Sequence, residues 1–155
     1  MAPVVPDTFV ITRRYPVGRE RVFAAFADEA KKRRWFTEAK QQEVELFEVE
    51  FRVGGAERAR YRFKEGTPFP GAALNSEGVY LDIVADRRIV SAATMSIDDR
   101  RFSAAMVTIE LTATAEGTEL VCTHQAVFFE GADGPEMRRQ GWEVLFDRLA
   151  EELAR

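Results

Sequence analysis

Hydrophobic and polar positions change phase several times along the chain, and each change marks an element. Phe9 and Ile11 alternate with polar neighbours through Thr8 to Tyr15, a first strand that Pro16 and Gly18 stop. From Arg19 to about Ala27 the spacing puts Val22, Phe23 and Phe26 on one helical face. A second short helix, from about Asp28, ends in Lys31, Lys32, Arg33 and Arg34 just before Trp35 and Phe36. Period two returns in Glu57 to Lys64, where Arg58, Arg60, Arg62 and Lys64 alternate with Ala59, Tyr61 and Phe63. Upstream, Glu48, Glu50 and Arg52 alternate with Val49, Phe51 and Val53, and Gly54-Gly55 supplies a turn. Setting Val53 opposite Glu57 pairs Glu50 with Arg60 and Glu48 with Arg62, while the adjacent Leu46 and Phe47 break the phase and predict a bulge.

Beyond a Pro/Gly-rich loop from Thr67 to Leu74, two further hairpins are predicted. Val79, Leu81 and Ile83 lead through Ala85–Arg88 to Ile89 and Val90. Met106 to Ala113 joins Leu120 to Phe129 through Glu116-Gly117, and Leu111 opposite Leu120 puts Val107, Ile109 and Leu111 on one face with Cys122, His124 and Phe128. The last element reads as a long helix. Asp133 and Glu136 have capping-box spacing, Pro135 suits a first turn, and Trp142, Leu145, Phe146, Leu149 and Leu153 form the dry stripe. Arg138, Arg139, Glu143, Asp147, Glu151 and Glu152 are placed opposite it. Sequential hairpins make an antiparallel sheet, and the final helix is the one element able to cover its apolar face. A strongly curved sheet around that helix leaves room for a pocket between them. The class is α+β, with about six or seven strands and a single domain over residues 1–155.

Composition narrows the chemistry. The chain has 155 residues, 22 basic and 26 acidic, for a net charge of −4. That balance argues against a nucleic-acid partner, whose phosphates call for clustered positive charge. No apolar run is long enough for a membrane helix. A single cysteine and a single histidine make neither an internal disulfide nor a zinc site, so no metal and no cofactor are expected. Met1 to Pro6 lacks the pattern of a signal peptide, which makes the cytoplasm the expected location.

Several stretches together carry a resemblance: Val17-Gly-Arg-Glu-Arg-Val-Phe-Ala-Ala-Phe, the basic run before Trp35-Phe36, Gly54-Gly55, Gly78-Val-Tyr-Leu-Asp-Ile, Gly117-Thr-Glu-Leu, and Gly141-Trp142 opening Leu145, Leu149 and Leu153. In this order the chain resembles the family related to the C-terminal domain of the activator of heat shock protein 90 ATPase, within the START-like, Bet v 1-like superfamily. The resemblance implies a helix-grip fold. Members of the superfamily include ligand carriers, polyketide cyclases, self-sacrifice resistance proteins and the co-chaperone domain, so a chaperone becomes a candidate partner.

The candidate site is a ring-lined cavity under the last helix. Trp35, Phe36, Phe51, Tyr61, Phe63, Tyr80, Phe128, Trp142 and Phe146 supply aromatic surface for it, with Ile109 and Leu145 on the same apolar faces. Tyr61, Tyr80 and His124 supply polar groups to orient a ligand. His124 reads either as a pocket acid–base group or as a buried structural imidazole, and Cys122 two residues away sits too far along the strand to be activated by it. The run Lys31–Arg34 reads as cations complementing a helix C-terminus, and the Arg58–Lys64 stripe as a solvated face. The loop around Phe69 is a candidate lid. The expected function is binding of a small hydrophobic or aromatic molecule, by a monomer or homodimer. The alternatives are a cyclase- or hydrolase-type enzyme using the same cavity, for which no catalytic residues are assigned, and a domain stimulating a chaperone ATPase.

Overall fold

The computed structural model describes residues 4–155, so the first half of the Met1–Pro6 reading lies outside the described residues. Strand β1 (Val5–Tyr15) is followed by α1 (Arg19–Ala27) and by α2 (Glu29–Lys32), which runs into a π-helical turn over Arg33–Thr37. Strands β2 (Gln42–Val49), β3 (Ala56–Phe63), β4 (Ala73–Val84), β5 (Arg88–Ile97), β6 (Arg100–Ala113) and β7 (Thr118–Phe128) then meander, and α3 (Pro135–Leu153) closes the chain. All seven strands form one antiparallel sheet in the order β1-β7-β6-β5-β4-β3-β2. The first helices carry the chain from one edge of the sheet to the other. This is the α+β helix-grip arrangement, and among the described residues no helix is long and apolar enough to cross a membrane.

The β6–β7 register agrees with the alternation: Leu111 faces Leu120, Ile109 faces Cys122 and Val107 faces His124. The β2–β3 register differs. Val49, not Val53, stands opposite Glu57, and Glu48 faces Arg58, not Arg62. The chain leaves the sheet at Glu50 because Phe51 gains more by turning inward, where its ring meets Phe23 at 5.6 Å and Tyr80 at 5.1 Å. The resulting loop is tied to β4 by Gly54 N–H on the Tyr80 carbonyl and Tyr80 N–H on the Gly55 carbonyl, at 2.8 and 3.0 Å. Glycine is required there: Gly54 has φ +82°, and a Cβ on Gly55 would stand 2.0 Å from the Glu50 carbonyl oxygen. The predicted bulge lies between Val44 and Leu46, and Arg62 pairs with the bulged Glu45 at 2.8 Å. The β5–β6 hairpin was not legible, since small or polar residues fill most positions from Ser91 to Ser103 and leave little alternation of large apolar side chains.

Helix α3 is gripped through its C-terminal half. Arg13 reaches Asp147 at 2.7 Å, the Tyr15 hydroxyl donates to the Phe146 carbonyl at 3.0 Å, and Arg21 donates to the Leu153 carbonyl at 2.8 Å. The C-terminal half of the helix is solidly packed. Phe146, Leu149 and Leu153 are buried with Ile11, Val22, Phe26, Trp35, Ile109, Leu120 and Cys122 in the main core.

Two predictions for α3 need correction. Gly134 is the N-cap and no side chain caps it, because Asp133 instead gives both carboxylate oxygens to Arg138 at 2.7 and 2.8 Å. Arg138 and Glu152 are buried and do not lie on the wet face. Glu152 accepts two bonds from Arg34, at 2.9 and 2.7 Å, and this pairing, with Lys32 on Glu57 and Arg33 on Glu38, gives the basic run counterions well beyond a helix dipole.

Candidate functional site

The N-terminal half of α3 stands away from the sheet, and a cavity of about 470 Å³ lies between them. Its floor is the inner face of the central strands: Leu74 and Ser76 from β4, Ser91, Ala93 and Met95 from β5, Ala105 and Val107 from β6, and His124 from β7. Short side chains on these inward positions are what create the space. Trp142 and Leu145 form the roof and Phe36 one wall, with Phe36 and Trp142 edge to face at 5.9 Å. Met137 and Val144 also line it, and both are exposed, so the cavity opens to solvent along the edge of α3.

Of the aromatic and apolar residues expected around a ligand, Phe36, Tyr61, His124, Trp142 and Leu145 do line this space. The others belong elsewhere. Trp35 is buried in the corner of α1 and α2, donating from Nε1 to the Ala25 carbonyl at 2.8 Å, and Phe51, Ile109 and Phe146 join the packed end of the core. Phe128 lies beneath the Arg138 guanidinium at 5.0 Å, and Phe63 is half-buried at the end of β3. Tyr80 stands behind the lining, its hydroxyl donating to Glu57 at 2.5 Å. Phe69 is 58% exposed and covers no part of the opening. Each of these sits on an inward phase or in an apolar stretch, but local pattern does not tell a filled end of a sheet from an open one.

The lining is more polar than the sequence reading expected. Lys32, Glu57, Asp133, Arg138 and Arg148 all contribute to it. Lys32 is buried, its Nζ bonded to Glu57 and 4.6 Å from the centre of the Phe36 ring. Arg138 completes its Asp133 pair with a 2.9 Å bond to the Ser103 hydroxyl. Three of these have signals in the sequence. Glu57 shares the inward phase of Ala59 and Tyr61, Arg138 falls four residues before Trp142 on the dry stripe, and Arg148 flanks that stripe three residues after Leu145. Lys32 was hidden in the basic run.

His124 is 1% exposed, stacked on Phe9 with centroids 4.5 Å apart, and its Nδ1 is buried with no hydrogen-bond partner. Burial, aided by the Arg138 charge, lowers its pKa to about 4, so the ring is neutral near pH 7. A neutral imidazole in the cavity wall can accept or donate a hydrogen bond. Burial alone pushes the Cys122 thiol up to about 12, which leaves it protonated and unreactive. The Tyr61 and Tyr80 hydroxyls are likewise raised, first by burial and then by the nearby Glu57 carboxylate.

A second depression, of about 820 Å³, lies on the opposite face of the sheet, broad and open, over Thr8, Ala92, Thr94, Ala104 and Met106. It has no enclosing helix.

The family model for activator of Hsp90 ATPase homolog 1-like protein matches residues 16–154. A structure of a Rhizobium loti protein is 39% identical, covers 97% of this chain and 99% of its own, and superposes with a TM-score of 0.83. One from Rhizobium leguminosarum is 31% identical, with coverage of 98% and 97% and a TM-score of 0.90. An AHSA1-like protein from Aeromonas hydrophila, 18% identical over 96% of this chain and 92% of its own, shares the fold with a TM-score of 0.68. No match is found among curated proteins.

Proposed function

The chain belongs to the activator of Hsp90 ATPase homolog 1-like family, and from that membership we propose that it binds a small, largely apolar molecule in the cavity under α3. One observation carries the reading: the core is dense at one end of α3 and leaves about 470 Å³ at the other, within the usual range for small-molecule sites. Protein interiors ordinarily close such spaces, because an unfilled apolar volume forfeits packing. Trp142, Phe36, Val107 and Leu145 would hold the apolar body by removing it from water, at roughly 25 cal/mol per Å² before the costs of association. His124 would accept or donate one hydrogen bond. The test is binding of the neutral fluorescent probe N-phenyl-1-naphthylamine. Enhanced emission is expected with the native protein and is expected to vanish in Val107→Trp, which fills the cavity, while the variant's melting temperature is maintained. Equal emission from both proteins would place the probe elsewhere and end the proposal.

The family description also makes a chaperone ATPase a partner to test. Stimulated ATP hydrolysis by an Hsp90-type chaperone in the presence of the purified protein would support it, and an unchanged rate at saturation would remove it.

A further inference from the structure

Five charged side chains face the cavity, and their charges do not cancel. Glu57 is held by Lys32, and Asp133 is held by Arg138 through both oxygens. Arg148 has no carboxylate within ion-pair distance among the described residues. Among the described residues its one protein bond runs from Nη2 to the Arg34 carbonyl at 3.2 Å, which leaves most of a five-donor fork unmet. The acidic groups nearest it in electrostatic effect are occupied or wet: Glu38 pairs with Arg33, and Glu151 is exposed. The cavity therefore carries one uncompensated positive charge in a protein whose net charge is −4.

Tyr61 stands in the same lining. Its hydroxyl makes no side-chain hydrogen bond among the described residues, although the ring is buried, and of the charges around it Glu57, already held by Lys32, acts first and Arg148 next. Burial has already lowered the Arg148 pKa, so the guanidinium is partly stripped of water before any ligand arrives. A partly desolvated cation lining the same cavity as an unused hydroxyl matches a planar anion, which takes two parallel N–H bonds and one O–H bond.

We infer that the cavity selects an amphipathic carboxylic acid, its carboxylate held by Arg148 and Tyr61 and its apolar body lying between Trp142, Phe36 and Val107. This rests on the cavity being a ligand site, and it adds the chemical class of the ligand. The neutral His124 at the inner wall then meets a hydroxyl or amide on the far end of the body.

The experiment compares three naphthalene probes of nearly equal shape by calorimetry: 2-naphthoate, 2-naphthylmethanol and 2-naphthylmethylamine. For the native protein the acid should bind about tenfold or more tighter than the alcohol, and the amine should bind weakest. In Arg148→Gln the acid should fall to within about twofold of the alcohol, whose own affinity should hold. Arg148→Lys keeps the charge and loses the fork, and should retain only part of the preference. Equal binding of acid and alcohol by the native protein, with Val107→Trp abolishing both, would overturn the carboxylate assignment and leave the cavity reading standing. An acid preference that survives Arg148→Gln would also overturn it. Binding of none of the three would overturn both readings together. Should Arg148→Gln fail to fold, Arg148→Lys decides: an acid preference undiminished from the native protein would overturn the assignment.

Discussion

The orphaned imidazole of His124 makes a prediction that can be worked in numbers. Its folded-state pKa of about 4 lies below the ordinary value of 6.5, so the folded protein disfavours the charged ring and the unfolded chain takes up the proton more readily. The stabilising contribution is therefore complete above pH 6.5 and is lost as the pH falls through 4. At 1.36 kcal/mol per pH unit the full shift corresponds to about 3 kcal/mol, and water entering through the cavity mouth reduces this to roughly 2 kcal/mol. His124→Phe retains the ring stacked on Phe9 and removes both the titration and the unmet Nδ1. Near pH 7 the variant should match the native protein within about 1 kcal/mol, because exchanging an unpartnered polar atom for an apolar one removes a desolvation cost. Urea unfolding from pH 7 to pH 4.5 then separates the two proteins. The native stability should decline relative to the variant by about 1 to 2 kcal/mol across that interval. Both proteins carry the same carboxylates, so the difference reports the replaced histidine. Parallel curves would refute the reasoning, and a variant losing several kcal/mol at pH 7 would show that Nδ1 is bonded after all.

Other consequences can be checked as directly. Arg138→Met should destabilise the fold by about 3 kcal/mol in urea, since it strands Asp133 beside the cavity and leaves Ser103 unpaired; a loss under 1 kcal/mol would mean the pair is already solvated. Cys122 should resist a thiol-specific disulfide reagent at pH 8 in the native protein and react fully in guanidinium chloride, whereas rapid native labelling would contradict its burial and raised pKa. In double-mutant cycles, Arg62 should couple to Glu45 by a few tenths of a kcal/mol and to Glu48 not at all; the reverse result would restore the register expected from simple alternation.

Neighbours in sequence decided much of this protein. Alternation over Glu57–Lys64 and Met106–Phe129 defined which side of each strand is dry, the spacing from Trp142 to Leu153 defined the stripe of α3, and the motifs from Val17 to Leu153 placed the chain in its family. These features are local because strand and helix periods are fixed by backbone geometry. Where α3 sits tight and where it stands away is not local. It depends on Phe146, Leu149 and Leu153 meeting large side chains from β1, α1, β6 and β7, while Trp142 and Leu145 face Ser91, Ala93 and Ala105, whose small size leaves volume unfilled. The same holds for the charges. Lys32 and Glu57 meet across the fold, as do Arg34 and Glu152, and among the described residues Arg148 is left without a carboxylate because the acids near it are otherwise engaged or solvated. Which charge remains unmatched is a property of the assembled surfaces of a cavity, and side chains far apart in the chain acquire it together only when the sheet closes around the helix.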